Sequence, residues 1–150
     1  MNKNLLKLIM IATILTIFML LNPYRLVVVL GNSMYPTYKN GQILLAKKVD
    51  IYNKEDVVVA HEPLCGRIIK RIKFVPGDRY YFYLDGKNIE FTIDNQYHNV
   101  NSLILSHHKI YENVVSKDKY FLVGDNTNNS EDSRSFGTIE KEDILYKIVQ

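Results

Sequence analysis

An uncharged apolar segment near the N-terminus constrains the fold more than any other feature of the chain. Residues 8–21 (LIMIATILTIFMLL) carry no charge, and with Leu5 and Leu6 the stretch reaches about 17 residues, the lower limit for a spanning helix. Lys7 can extend toward lipid headgroups without interrupting the span. A cleaved signal peptide would need a small-x-small site, which residues 22–25 (NPYR) do not provide. A buried helix of a soluble domain is disfavoured because the segment has no polar face. The sequence therefore predicts a retained transmembrane helix.

The charges around this segment predict its orientation. Lys3 and Lys7 precede it and Arg25 follows it, which favours a cytoplasmic N-terminus under the positive-inside rule. We expect residues 1–25 to form a cytoplasmic tip and a single-pass anchor in the cell membrane. Residues 26–150 would then form an extracytoplasmic domain.

Short β-branched and aromatic runs, separated by turn residues, fill the rest of the chain. The runs predicted as strands lie at residues 26–30, 43–46, 56–60, 66–74, 120–123 and 144–149. Asp85-Gly86 predicts a hairpin within residues 79–91, and residues 95–113 are interpreted as a polar loop with short strands. The predicted fold class is mostly β: a transmembrane helix followed by a compact β-barrel-like domain, with a small β-rich lobe at 79–119.

Composition argues against a nucleic-acid partner and against an internal disulfide. The net charge of +3 is too small, and too evenly spread, to indicate a nucleic-acid partner. Cys65 is the only cysteine, so the chain contains no internal disulfide.

Ser33 follows a β-branched run and precedes a turn. Gly31 permits a close backbone approach, and Pro36 fixes its own φ and disfavours helix at Tyr35. This turn would present the Ser33 hydroxyl at the end of a strand, with its N–H free to face a carbonyl. A serine that merely caps a turn is the alternative, and this segment alone favours that alternative.

Lys70 lies on the apolar face of a predicted strand. Because alternate residues share a face, Lys70 sits between Ile68 and Ile72. Burial disfavours the charged form of a lysine and lowers its pKa, which gives a neutral amine able to accept a proton from a serine. A solvated lysine on an edge strand is the alternative.

The segment 124–137 (GDNTNNSEDSRSFG) is a polar loop by composition. It offers an Asp132–Arg134 pair and two hydroxyls, those of Ser130 and Ser133. Such a loop can orient a lysine amine by hydrogen bonds, and a solvated loop is the alternative.

Taken together, these segments resemble the type I signal peptidases, the S26 serine-lysine proteases. The similar segments are 31–37 (GNSMYPT), 56–59 (DVVV), 70–78 (KRIKFVPGD) and 124–137. Each is weak evidence alone, but all four occur in the family's order behind one anchor and span nearly the whole chain.

The resemblance implies a catalytic role for each matching residue. Ser33 would be the nucleophile and Lys70 the general base. Ser130 would hold the Lys70 amine, and Asp132 and Arg134 would form a supporting ion pair. The enzyme would remove signal peptides from secreted preproteins after small residues (A-x-A sites) at the membrane lipid surface, without a cofactor or a metal.

The resemblance also implies how substrate would be held. The Ser33 N–H would donate to the oxyanion, while Gly31 stands where some relatives carry a serine that provides a second donor. Met34 and Ile68 would line the pocket for the small residue before the cut. The strands before Ser33 and around Lys70 would hold the substrate as an added strand.

Other chemistries have weaker support in the sequence. A zinc site is disfavoured because His61 and Cys65, and the adjacent His107 and His108, lack further ligands at suitable spacing. A serine-histidine mechanism with His61 as base is disfavoured because Lys70 occupies the family's lysine position. Cys65 as nucleophile has no supporting motif.

Two alternatives to a signal peptidase stay open. One is another serine-lysine peptidase, of the conjugation type or of the self-cleaving repressor clan, although an anchor argues against a cytoplasmic repressor. The other is a catalytically silent, membrane-anchored binding module. The oligomeric state is not predicted.

Overall fold

The computed structural model of the chain describes residues 3–85, 88–92 and 110–149. Helix α1 covers Lys3–Leu21 and contains the whole predicted apolar segment. Its large apolar side chains between Leu5 and Ile17 are 43–64% exposed. Among the helices in these described ranges, none has both the length and the apolar character needed to cross a membrane.

In the described residues after α1 the chain forms ten strands, so the prediction of a mostly β fold is confirmed. In chain order they are β1 (Tyr24–Val28), β2 (Ile43–Lys47), β3 (Val57–Glu62), β4 (Gly66–Phe74), β5 (Arg79–Asp85), β6 (Asn88–Thr92), β7 (Ile110–Val114), β8 (Lys119–Val123), β9 (Ile139–Glu140) and β10 (Ile144–Ile148). Seven of them form one sheet in the order β1-β2-β10-β3-β4-β8-β9, and neighbouring strands are antiparallel.

Strand β1 begins two residues before its predicted start. Tyr24 pairs with Lys47 of β2, which extends the ladder toward the helix. At the other end the chain turns at Gly31, whose φ of +87° is a conformation that glycine adopts at low cost. Beyond Val28, the Val29 N–H still donates to Gln42 O.

A second sheet of three strands, in the order β6-β5-β7, lies within residues 79–119, and the division of these residues as a separate lobe stays a prediction. β5 and β6 pair antiparallel from Tyr81↔Thr92 to Asp85↔Asn88, as the predicted hairpin requires. The turn residue Gly86 and most of the predicted loop, including His98, His107 and His108, lie outside the described residues.

Strand β4 lies inside the large sheet, between β3 and β8. Its apolar face packs in the core: Ile72 contributes to one cluster with Val58 and Leu122, and Phe74 contributes to another with Phe121. An interior strand buries both backbone edges, so the alternative of Lys70 on a solvated edge strand is wrong.

The segment predicted as a polar loop carries two short helical turns. Thr127–Asn129 is a 3-10 turn, and Ser133–Phe136 is a four-residue helix, α2. Asp132 caps α2, because its side chain accepts a hydrogen bond from the Arg134 N–H. The segment therefore holds its polar side chains in fixed positions against β4 and β8.

Candidate active site

Ser33 lies in the turn that follows β1, and its backbone is held by the segment 124–137. The Ser33 carbonyl accepts a hydrogen bond of 2.9 Å from the Asn126 N–H, and the Asn32 carbonyl accepts one of 3.0 Å from Asn126 Nδ2. The turn is closed by the Tyr35 N–H, which donates to Asn32 O. Two consecutive carbonyls bonded to one asparagine fix the position of the half-buried Ser33.

Lys70 lies on the inner face of β4 and is only 3% exposed. Its Nζ donates a hydrogen bond of 3.0 Å to Ser130 Oγ. Burial lowers the pKa of Lys70 below its ordinary value, and the negative charge of Asp132 opposes this effect without cancelling it. The site therefore favours a neutral amine more than water does.

Asp132 is the centre of the hydrogen-bond network behind Lys70. Its side chain is 0% exposed and accepts hydrogen bonds from Ser130 Oγ (2.6 Å), the Gly124 N–H (2.9 Å) and Arg134 Nε (2.8 Å). Burial alone would raise the pKa of Asp132, but these hydrogen bonds and the Arg134 charge outweigh it and lower the pKa. An ionised Asp132 thus orients the hydroxyl that holds the lysine.

Gly124 lies where the turn that contains Ser33 and the Ser130 hydroxyl come closest together. A Cβ at Gly124 would lie 2.6 Å from Ser33 O and would also collide with the Ser130 hydroxyl. Only a residue without a side chain allows these two segments to pack at this distance.

One cleft of about 750 Å³ is lined by four of the predicted site residues: Ser33, Lys70, Gly31 and Ile68. Within the part of the chain that the structure describes, no hydrogen bond joins Ser33 Oγ to Lys70 Nζ. The structure thus brings the predicted nucleophile and base to one cleft, with Ser130 between Lys70 and Asp132.

Met34 lies in the core rather than in the lining of this cleft. It is 1% exposed and packs in a core cluster with Leu44 and Val59. Its predicted part in the wall of the substrate pocket stays a prediction.

Arg71 and Asp125 form an ion pair that the sequence did not predict. Arg71 Nε donates to Asp125 Oδ1 at 2.8 Å and Arg71 Nη2 to Asp125 Oδ2 at 2.7 Å, a bidentate geometry. The Thr37 hydroxyl also bonds Asp125. Arg71 follows Lys70 and therefore lies on the opposite face of β4. Both faces of this strand are thus hydrogen-bonded to residues of the segment 124–137. The sequence held one signal for this pair. Arg71 directly follows Lys70, and the oppositely charged Asp125 directly follows Gly124.

Cys65 also lines the cleft, and it is exposed. Desolvation and a hydrogen bond with Glu62 raise the pKa of its thiol, which disfavours the nucleophilic thiolate. No group of three or more His, Cys, Asp or Glu side chains in the described ranges is arranged to hold a metal ion.

The sequence matches the family model described as signal peptidase, peptidase S26, over residues 2–149. The chain therefore belongs to this family, which makes it a peptidase. It is 31% identical over 137 residues to signal peptidase IB of Staphylococcus aureus, covering 79% of this chain and 72% of that relative. It is 30% identical over 160 residues to signal peptidase I U of Bacillus subtilis, covering 95% of this chain and 86% of that relative.

Among solved structures, the chain is similar to the crystal structure of a signal peptidase I from Enterococcus faecalis. The match has a TM-score of 0.43 and 18% sequence identity, and it covers 69% of this chain and 100% of the other.

Proposed function

We propose that the chain is a serine endopeptidase that cleaves signal peptides from exported preproteins, with Ser33 as nucleophile and Lys70 as general base. The observation that carries this proposal is the buried Lys70 amine, bonded to Ser130 in the same cleft as Ser33. The family and the names of the relatives support the substrate class.

In the proposed reaction, neutral Lys70 accepts the proton of the Ser33 hydroxyl as Ser33 Oγ attacks the substrate carbonyl. Protonated Lys70 then gives this proton to the leaving amine, and water hydrolyses the acyl-enzyme. Ser130 keeps the Lys70 amine in place, and the ionised Asp132, paired with Arg134, keeps Ser130 in place.

The substrate would be held as an added strand along β1. β1 is at the end of the large sheet, so the edge that does not pair with β2 is open within the described residues. Apolar side chains such as Leu26, which is 75% exposed, lie on this strand. β1 and β4 both line the cleft, so an extended peptide between them would pass Ser33. Gly31 and Ile68 leave room for a small residue before the cut.

We propose that α1 attaches the enzyme to the cell membrane, with the N-terminus in the cytoplasm and the cleft outside. The exposed apolar side chains between Leu5 and Ile17 support this attachment, since water disfavours such a surface. Sedimentation of the full chain with membranes after alkaline carbonate washing tests the attachment. Protease added outside intact cells should reach residues 26–150, and release of the chain by carbonate would contradict the proposal.

The decisive experiment for the activity is cleavage of a preprotein with an A-x-A site by the purified full chain. Ser33→Ala and Lys70→Ala should abolish cleavage. Two matched controls should retain it: Ser135→Ala, an exposed serine in α2, and Lys73→Ala, a lysine on the same strand as Lys70. Cleavage that survives Ser33→Ala or Lys70→Ala refutes the assignment. A wild type that binds the preprotein without cleaving it indicates the silent binding module.

A further inference from the structure

We propose that the side-chain amide of Asn129 donates the second hydrogen bond to the oxyanion that forms when Ser33 attacks. This inference rests on the proposed function and names a catalytic residue for it.

Gly31, which directly precedes Asn32, provides no hydrogen-bond donor for an oxyanion in the cleft. Gly31 has no side chain, and its own N–H is already committed to Asn40 Oδ1 at 2.9 Å. The Ser33 N–H, in contrast, has no acceptor among the residues that the structure describes. The Ser33 N–H is therefore available for the oxyanion, and a second donor from another part of the cleft would add to its stabilisation.

Asn129 and Ser33 are both hydrogen-bonded to the backbone of Asn126. The Asn129 N–H donates to Asn126 O at 3.0 Å, and the Asn126 N–H donates to Ser33 O at 2.9 Å. Asn129 lines the cleft at the end of the 3-10 turn. Its side-chain amide has no hydrogen-bond partner in the described ranges, so its two N–H donors are available to a substrate.

The proposed reaction places the substrate carbonyl in the cleft that Asn129 lines. For Lys70 to accept the Ser33 proton, the reacting atoms must lie beside the Lys70 amine, which is bonded to Ser130. Asn129 directly precedes Ser130, with Cα atoms about 3.8 Å apart. Asn32 also lines the cleft with an unbonded side-chain amide in the described residues, and it is the rival donor.

The role is electrostatic and transfers no proton. As the bond from Ser33 Oγ to the carbonyl carbon forms, the carbonyl π electrons move to its oxygen and the serine proton goes to Lys70. The Asn129 amide and the Ser33 N–H then donate to the resulting O⁻. When the intermediate collapses, the C–N bond breaks and the amine leaves with the proton from Lys70.

The test is steady-state cleavage of the A-x-A preprotein by Asn129→Ala and Asn129→Asp, with kcat and KM measured across pH. Both variants should lose kcat by about 10²-fold with little change in KM, because the donor acts in the transition state. Asn129→Asp keeps the shape of asparagine without a donor. Asn128→Ala, in the same 3-10 turn, is the matched control and should keep the wild-type kcat.

Three outcomes would overturn this inference alone: a kcat of Asn129→Ala within twofold of wild type, the same loss for Asn128→Ala, or a large loss only in Asn32→Ala. A shift in the acid limb of the pH profile of Asn129→Ala would also overturn it, since that indicates an effect through Lys70. Asn129→Asp is compared only by kcat on the pH plateau, because its new carboxylate shifts the acid limb by itself. An inert wild type would overturn the proposed function together with it.

Discussion

Replacing Gly124 by alanine introduces a methyl group between the two halves of the candidate site. The new Cβ would lie 2.6 Å from Ser33 O and would collide with the Ser130 hydroxyl. Ordinary contacts between a methyl carbon and an oxygen are about 3.5 Å or longer, so the segments must separate by about 1 Å. The separation moves the turn that contains Ser33, the Ser130 hydroxyl that bonds Lys70, or both.

We expect Gly124→Ala to lower the folding stability moderately and the reaction rate severely. Insertion of a methylene-sized group into a packed site costs about 1–3 kcal/mol of folding stability. A displacement of about 1 Å between reacting groups can lower the rate by about 10²-fold. We therefore expect a folded variant with a moderately lower unfolding free energy and a severe loss of kcat.

The assay combines preprotein cleavage with urea unfolding, and Gly137→Ala provides the control. Gly137 ends the same segment with a φ of +84°, and a Cβ there would meet nothing within 4 Å. Backbone strain should cost Gly137→Ala about 1–3 kcal/mol while the cleft keeps its geometry. A Gly124→Ala variant with wild-type kcat, or an equal loss of kcat in Gly137→Ala, would refute this reasoning.

Further variants test the parts of the site separately. Arg71→Lys cannot keep the bidentate pair with Asp125, so urea unfolding should show a loss of about 1.5–3 kcal/mol; an unchanged midpoint would contradict a structural role. Asp132→Asn removes a negative charge that raises the pKa of Lys70, so the neutral amine persists to lower pH. The acid limb of its kcat/KM profile should move to lower pH, and a move to higher pH would be inconsistent with this network. Met34→Ala leaves a cavity in the core and should cost about 2–5 kcal/mol by thermal or urea unfolding, whereas a cost under 1 kcal/mol would place Met34 outside the core.

The position of Lys70 was predictable because strand geometry has a fixed period. Alternate residues of GRIIKRIKF share a face, and Lys70 lies on the buried face with Ile72 and Phe74. The hairpin of β5 and β6 was predictable for a similar local reason, since Asp85-Gly86 lies between two aromatic and aliphatic runs.

The contacts between distant segments were not predictable from local patterns. The pair of Arg71 and Asp125 joins residues 54 positions apart, and nothing in either segment alone selects this partner. Helix α2 has only four residues in a polar stretch and depends on the Asp132 cap, so periodicity could not reveal it. Met34 packs in a core cluster with Leu44 and Val59, a contact between segments that its local sequence does not show, while its predicted part in the pocket wall stays a prediction.

The central claim is that Ser33 is the residue acylated by substrate, with Lys70 as its base. Its most direct test is mass spectrometry of the full chain, quenched with acid during turnover of an activated ester that carries a small acyl residue. The account predicts one acyl group on the tryptic peptide 26–39, which contains Ser33. The adduct should be absent in Ser33→Ala and should form far more slowly in Lys70→Ala than in Lys73→Ala. An adduct on Cys65, or one that persists in Ser33→Ala, would contradict the account.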